Sequence, residues 1–156
     1  MLAALAVLAA VFLGVRMRYP GKAPVRLPAG NCDAGLWNHV YRPERLQVIE
    51  ACTVVEGRVI SVEPDADGDL HIALDPDERS VLNLVNVVHG GRHLVVEIIC
   101  EHKATRPMAI GACAGYKSGV TTPQVGQRIR VTGAYVTDRA TRWREVHPVT
   151  RIEILG

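Results

Sequence analysis

From residue 52 onward the chain is written in short runs rich in valine and isoleucine, broken by turn residues, and few architectures accommodate that pattern. The first run is 53–64 (TVVEGRVISVEP), with Gly57 inside it as a bulge or bend. The turn 65–69 carries Asp67-Gly68, the strongest hairpin signal in the chain. A second strand is expected over 69–76, a short one over 81–88 ahead of the turn His89-Gly90-Gly91, and a third over 93–100. Residues 101–126 are not strand-like and hold a candidate helix near 112–116. A fourth strand, with Gly133 inside it, is expected over 127–138, and a fifth over 144–155.

Composition narrows the class further. With 156 residues there is room for one domain and a tail. At 48% hydrophobic and 22% charged residues, disorder is excluded. A formal charge of +2 rules out blanket electrostatic binding to nucleic acid.

Residues 1–15 carry no charged side chain, and Arg16 and Arg18 follow at once. Fifteen residues make a helix of about 22 Å, short of a bilayer core of roughly 30 Å. Counting on to Tyr19, with both arginines reaching the interface, gives a marginal span. The segment 1–18 therefore reads as a membrane anchor or signal peptide, followed by a Pro/Gly linker at 19–31 and a domain at 32–156. An anchor fits better, because no basic stretch precedes the apolar run and no small-residue cleavage site closely follows it. The arginines after the run favour a cytoplasmic domain, and the cysteines favour export. Cys32, Cys52, Cys100 and Cys113 contain no C-x-x-C pair. An even count suggests two disulfides, and Cys32–Cys52 with Cys100–Cys113 closes the shortest loops. The expected place is the cell envelope, membrane-anchored or secreted, with the domain on the extracytoplasmic side.

Five strands, a glycine in the first and fourth, and one short helix between the third and fourth form an order that resembles the OB-fold. The likeness covers roughly 50–155. It rests on element order, on Val55-x-Gly57-x-Val59, and on 125–133 (VGQRIRVTG). The lead-in 37–52 and the closing stretch 143–149 are also similar to uncharacterised bacterial exported OB-like domains, a likeness that implies no activity. The expected fold is all-β: a five-stranded Greek-key barrel preceded by an N-terminal apolar helix, with a small sandwich as the alternative.

Strand alternation sorts the polar side chains. Asp69 and His71 oppose Leu70, Ile72 and Leu74, while Glu97 opposes Val96 and Ile98, and Glu145 and His147 oppose Val146. The OB order implies that the third strand lies between the second and fifth. Asp69, His71, Glu97, Glu145 and His147 would then share one outer face. As a site, Asp69, His71, Glu97 and His147 are candidate ligands for a divalent metal or an acid–base set. The simpler reading is a solvated polar exterior with cross-strand charge pairs. Glu97, flanked by apolar neighbours, must be either paired or a carboxyl of raised pKa.

Charge is uneven along the chain. Eight acidic and two basic residues fall between Glu56 and Arg79, whereas six arginines against two acids fall between Arg128 and Arg151. The loop joining the last two strands holds Arg139, Arg142, Trp143 and Arg144, the combination that stacking plus contact with an anion requires. The expectation is a binding module for an anionic ligand or protein partner, with nucleic acid less supported. It could serve as an accessory subunit of a membrane complex. The alternative is a metal-dependent hydrolase of phosphodiesters using the His/carboxylate set.

Overall fold

The computed structural model describes residues 31–156. The apolar segment 1–18 and residues 19–30 of the linker lie outside the described residues. Among those described, no helix is long and apolar enough to cross a membrane.

The chain is mostly β. Five strands, β1 (Leu46–Pro64), β2 (Leu70–Pro76), β3 (Leu94–Ile98), β4 (Arg128–Asp138) and β5 (Arg144–Ile154), form one mixed sheet. Neighbours follow the order β1-β2-β3-β5-β4, and β4 returns to pair with β1, so the sheet closes on itself. All pairings are antiparallel except β3–β5. Closure explains the core: one face of every strand points into the ring. Val59, Ile72, Leu74, Leu94, Val96, Ile98, Ile129, Val131 and Val146 fill it, each nearly or fully inaccessible.

The inward glycines serve close strand approach. A Cβ on Gly57 would meet the Asp75 carbonyl oxygen and sit 2.9 Å from Pro76 Cα. On Gly133 it would lie 2.6 Å from Pro148 O and 2.7 Å from Val146 Cγ1. The β4–β5 register shifts on both sides of Gly133. The register of β1, however, shifts between Val59 and Ser61 against β2 and twice between Val48 and Thr53 against β4, not at Gly57.

Three local expectations need correction. β1 begins at Leu46, because a 3-10 turn over Pro43–Arg45 releases the chain into an extension that pairs with β4 alone. The expected strand at 81–88 is instead a helix, α1 (Leu84–Val88). Asn83 caps it: its side chain accepts the Asn86 N–H at 3.0 Å, and Asn86 Oδ1 accepts the Asn83 N–H at 3.3 Å. The Asn86 amide is buried, donating to His93 O and Arg144 O and accepting the Arg144 N–H, so it fastens α1 to the starts of β3 and β5. Residues 112–116 form turns rather than a helix. A cross-link at Cys113 holds that segment, and Gly111 and Gly115 on either side disfavour a helix.

Both disulfides, Cys32–Cys52 and Cys100–Cys113, are present in the short-loop pairing. Such bonds persist in oxidising compartments. The second borders a small satellite core in which Leu36, Val40, Ile99 and Cys100 pack with Trp37, Leu46 and Tyr116. This packing seats the lead-in against the segment that follows β3.

Candidate functional site

Strand order and register bring the polar faces of β2, β3 and β5 together. His71 pairs directly with Glu97 across β2–β3, and Val95 with Glu145 across β3–β5. Side chains two residues apart on a strand share a face, so Glu97, Glu145 and His147 converge from neighbouring strands. Asp69 joins them from the start of β2.

The four candidate ligands of the sequence, Asp69, His71, Glu97 and His147, are thus gathered, with Glu145 beside them. His71 Nε2 lies 2.6 Å from Glu97 Oε1. His147 Nδ1 lies 2.9 Å from Glu97 Oε2 and 3.7 Å from Glu145 Oε2, and its Nε2 lies 3.8 Å from Asp69 Oδ2. None of the His147 contacts is aligned as a hydrogen bond. Both His147 nitrogens, Asp69 Oδ2 and Glu145 Oε2 are buried without a hydrogen-bond partner.

This face is not the solvated exterior that alternation suggests. Asp69, Glu145 and His147 are 2%, 2% and 6% exposed. The reason is what lies on top. The lead-in contributes Tyr41, Arg42 and Arg45, the β4–β5 loop contributes Thr141 and Trp143, and Asp65, Asp67 and Arg106 close the sides. The result is a cleft of about 240 Å³ lined at its floor by His71, Glu97, Glu145 and His147, with Asp69 in contact with His147. An ion pair between Arg45 and Asp138 pins the lead-in to the end of β4.

Burial and charge act against each other on the floor. Burial pushes the Asp69 carboxyl up to about 7, against the pull of His147 and the Cys100 N–H. Glu145 is likewise raised by burial, with His147 opposing. For Glu97 burial also acts upward, but His147 and His71 outweigh it and hold the carboxyl below the usual carboxylate range. Burial disfavours the imidazolium of His147, yet Glu97 and Glu145 prevail and raise its pKa well above the ordinary histidine value. His71 is raised in the same way, its partner Glu97 overcoming burial. Glu97 is therefore paired rather than raised, which decides the alternative that its sequence neighbourhood leaves open.

Of the four loop residues, only Trp143 lines the cleft. Arg144 turns away, donating to the Tyr135 hydroxyl at 3.0 Å and stacking 5.4 Å from that ring's centroid. Arg139 and Arg142 are exposed, the latter in the left-handed region at φ 65°. The cations at the mouth are instead Arg42, Arg45 and Arg106, which strand patterning has no means of selecting because they lie in irregular segments. The acidic and basic stretches of the sequence meet elsewhere: Arg128 and Arg130 reach Glu56, and Asp77 and Glu153 complete the ladder.

Neither a known protein family nor a curated protein matches this chain. The cleft and its floor are the observations on which a function must be argued.

Proposed function

We propose that the chain is an exported binding domain of OB type, membrane-anchored or secreted, whose cleft takes a small ligand bearing an anionic group. The OB assignment is supported by the strand order, the closed sheet and the parallel β3–β5 pair. Export is supported by the two disulfides and the apolar run 1–15. In OB domains ligands settle over the second and third strands, between the first-hairpin turn and the last-hairpin loop. The cleft lies there, with Asp65 and Asp67 on one rim and Trp143 on the other.

The observation that carries the ligand class is Arg42. Its guanidinium stands 5.6 Å from the Tyr41 ring centroid, shares the cleft lining with Trp143, and has no carboxylate partner among the described residues. An unpaired cation over one aromatic ring, in a cleft that holds a second, suits an anionic group attached to a flat or apolar body. Arg106 adds a second cation, 5.7 Å from the same Tyr41 ring and only loosely held by Asp65 and Asp67 at 3.8 and 3.7 Å.

Thermal-shift and calorimetric titration with phosphate, pyrophosphate, citrate and sulfated oligosaccharides tests this. At least one anion should bind, with Arg42→Ala and Trp143→Ala each weakening it at least about tenfold. Absence of binding by all of them, or equal binding by both variants, overturns the reading.

One observation favours the hydrolytic alternative. His71, paired to Glu97 at the edge of the cleft, is placed to exchange a proton with a bound substrate. Metal-stimulated hydrolysis of bis(p-nitrophenyl) phosphate that His71→Ala abolishes would establish it.

A further inference from the structure

We propose that Asp69, Glu97 and His147, with Glu145 as a fourth donor, form a binding site for a divalent transition-metal ion in the floor of the cleft. The inference goes beyond the ligand reading and does not depend on which anion, if any, enters above.

The first argument is the set of buried atoms without partners. Native proteins pair nearly all buried polar side-chain atoms, and each exception calls for an explanation. Here four such atoms belong to three side chains more than nine-tenths buried, and they face one another. One imidazole has two nitrogens to offer and three carboxylates converge on it, so His147 cannot serve them all at once. A cation held by one imidazole nitrogen would satisfy three of the four atoms together, and the other ring nitrogen would keep its proton and turn to a neighbouring carboxylate.

The second argument is how the carboxylates are held. Asp69 Oδ1 accepts the Cys100 N–H at 2.8 Å, which leaves Oδ2 turned to the cluster. Glu97 Oε1 is engaged by His71 at 2.6 Å, which leaves Oε2 facing His147. In each case one oxygen is tied to the protein and its twin is presented inward. That division of labour is what outer-shell partners do at metal sites. It assigns His71 to orientation rather than ligation. Cys100 and Cys113, though near Asp69, are consumed in their disulfide and supply no thiolate.

The third argument is distance. One donor atom each from Asp69, Glu97 and His147 lies within 4.8 Å of the others. Bonds of about 2.0–2.2 Å put donor atoms roughly 3.3–4.3 Å apart, so a small closure of side chains completes the shell. Mixed imidazole and carboxylate donors suit Zn²⁺ or Mn²⁺, whereas Ca²⁺ and Mg²⁺ favour oxygen alone. The ion would also reconcile the cleft's acidic floor with an anion above it, since it removes the repulsion and offers an open coordination position.

The test uses the full chain, disulfides intact, stripped with a chelator and titrated calorimetrically with Zn²⁺ or Mn²⁺ alone. We expect one ion per chain, and a rise in melting temperature on loading. Asp69→Asn should weaken binding at least about a hundredfold, and His71→Ala about 10–100-fold as an outer-shell change. Glu153→Gln, on the far charge ladder, should leave it unchanged. Because Asn keeps the shape of Asp, the stripped Asp69→Asn variant should melt no lower than the stripped parent. Loss of metal response then reports loss of a ligand and not of the fold. Absence of saturable binding, equal binding by Asp69→Asn, or tighter binding of Ca²⁺ than of Zn²⁺ and Mn²⁺ overturns the proposal. The ligand reading fails separately: Arg42→Ala should retain full metal binding whether or not any anion binds.

Discussion

The two faces of β2, β3 and β5 both hold buried side chains, yet they are built on opposite terms. Inside the ring, Ile72, Leu74, Val96, Ile98 and Val146 pack against one another and need nothing else. On the outside of the same strands, Asp69, Glu145 and His147 are covered almost as completely, beside a half-buried Glu97, but leave polar atoms unpaired. The first face accounts for the fold. The second is a cost to the fold, and such a cost points to a role outside folding.

The comparison breaks most visibly if the faces respond alike to substitution. Leu94→Ala, at a site with 0% exposure, should lose about 2–5 kcal/mol in urea unfolding. Glu145→Gln, which removes one of three converging carboxylates, should leave the stability of the metal-stripped protein unchanged or raise it. Similar losses for the two would mean that the polar face holds the fold together after all.

The cross-link beside the polar face comes next in size. Replacing Cys100 and Cys113 together by Ala should cost about 3 kcal/mol, the expectation for a loop of this length. Because the Cys100 N–H positions Asp69, the same variant should also disturb the cleft, visible as shifted His147 and His71 imidazole resonances in NMR. Loss of stability with unmoved resonances would separate the disulfide from the floor.

Asn86→Ala removes a buried amide that serves three backbone groups of β3 and β5 together with the cap of α1, and should cost about 2–3 kcal/mol. A near-neutral result would show that α1 is not part of the frame that sets β5 beside β3.

The finest probe is pH. Asp69 holds its proton to about 7 in the folded chain, against an ordinary value of 3.8. The folded state then binds more protons than the unfolded one, so this group's contribution declines as pH rises from about 4 to 7. His147 and His71, raised above 6.5, add stability that is present below that value and lost as pH climbs through their folded values. Glu97, lowered, contributes stability that is lost only as pH falls below the ordinary carboxylate range. The metal-stripped protein should therefore melt at progressively lower temperature from pH 5 to pH 9. A flat profile over that range would show that these groups are not strained by their surroundings.

Much of the frame was legible in the residues. Runs of valine and isoleucine between turns located the five strands to within a few residues at most ends, and the shortest cysteine loops matched the observed disulfides. The exceptions have local causes. Leu46–Ala51 is exposed at every position after Leu46 and pairs with β4 alone, so no alternation of buried and polar residues marks it as a strand. Residues 81–88 look like a strand in composition, but the Asn83–Asn86 cap and the tertiary anchoring of Asn86 turn them into α1.

The site divides the same way. Period-two alternation along each strand is a local property, and together with the strand order it brings Asp69, His71, Glu97, Glu145 and His147 to one face. Burial of that face is not local. It depends on Tyr41, Arg42 and Arg45 being carried over the sheet by the packing of Leu36 and Val40 on Ile99, and on Trp143 arriving from the opposite end of the chain. Alternation can say which side chains point the same way. Whether they face water or a closed cleft is decided by contacts between residues far apart in sequence, because the dielectric around a charge is set by everything that packs on it.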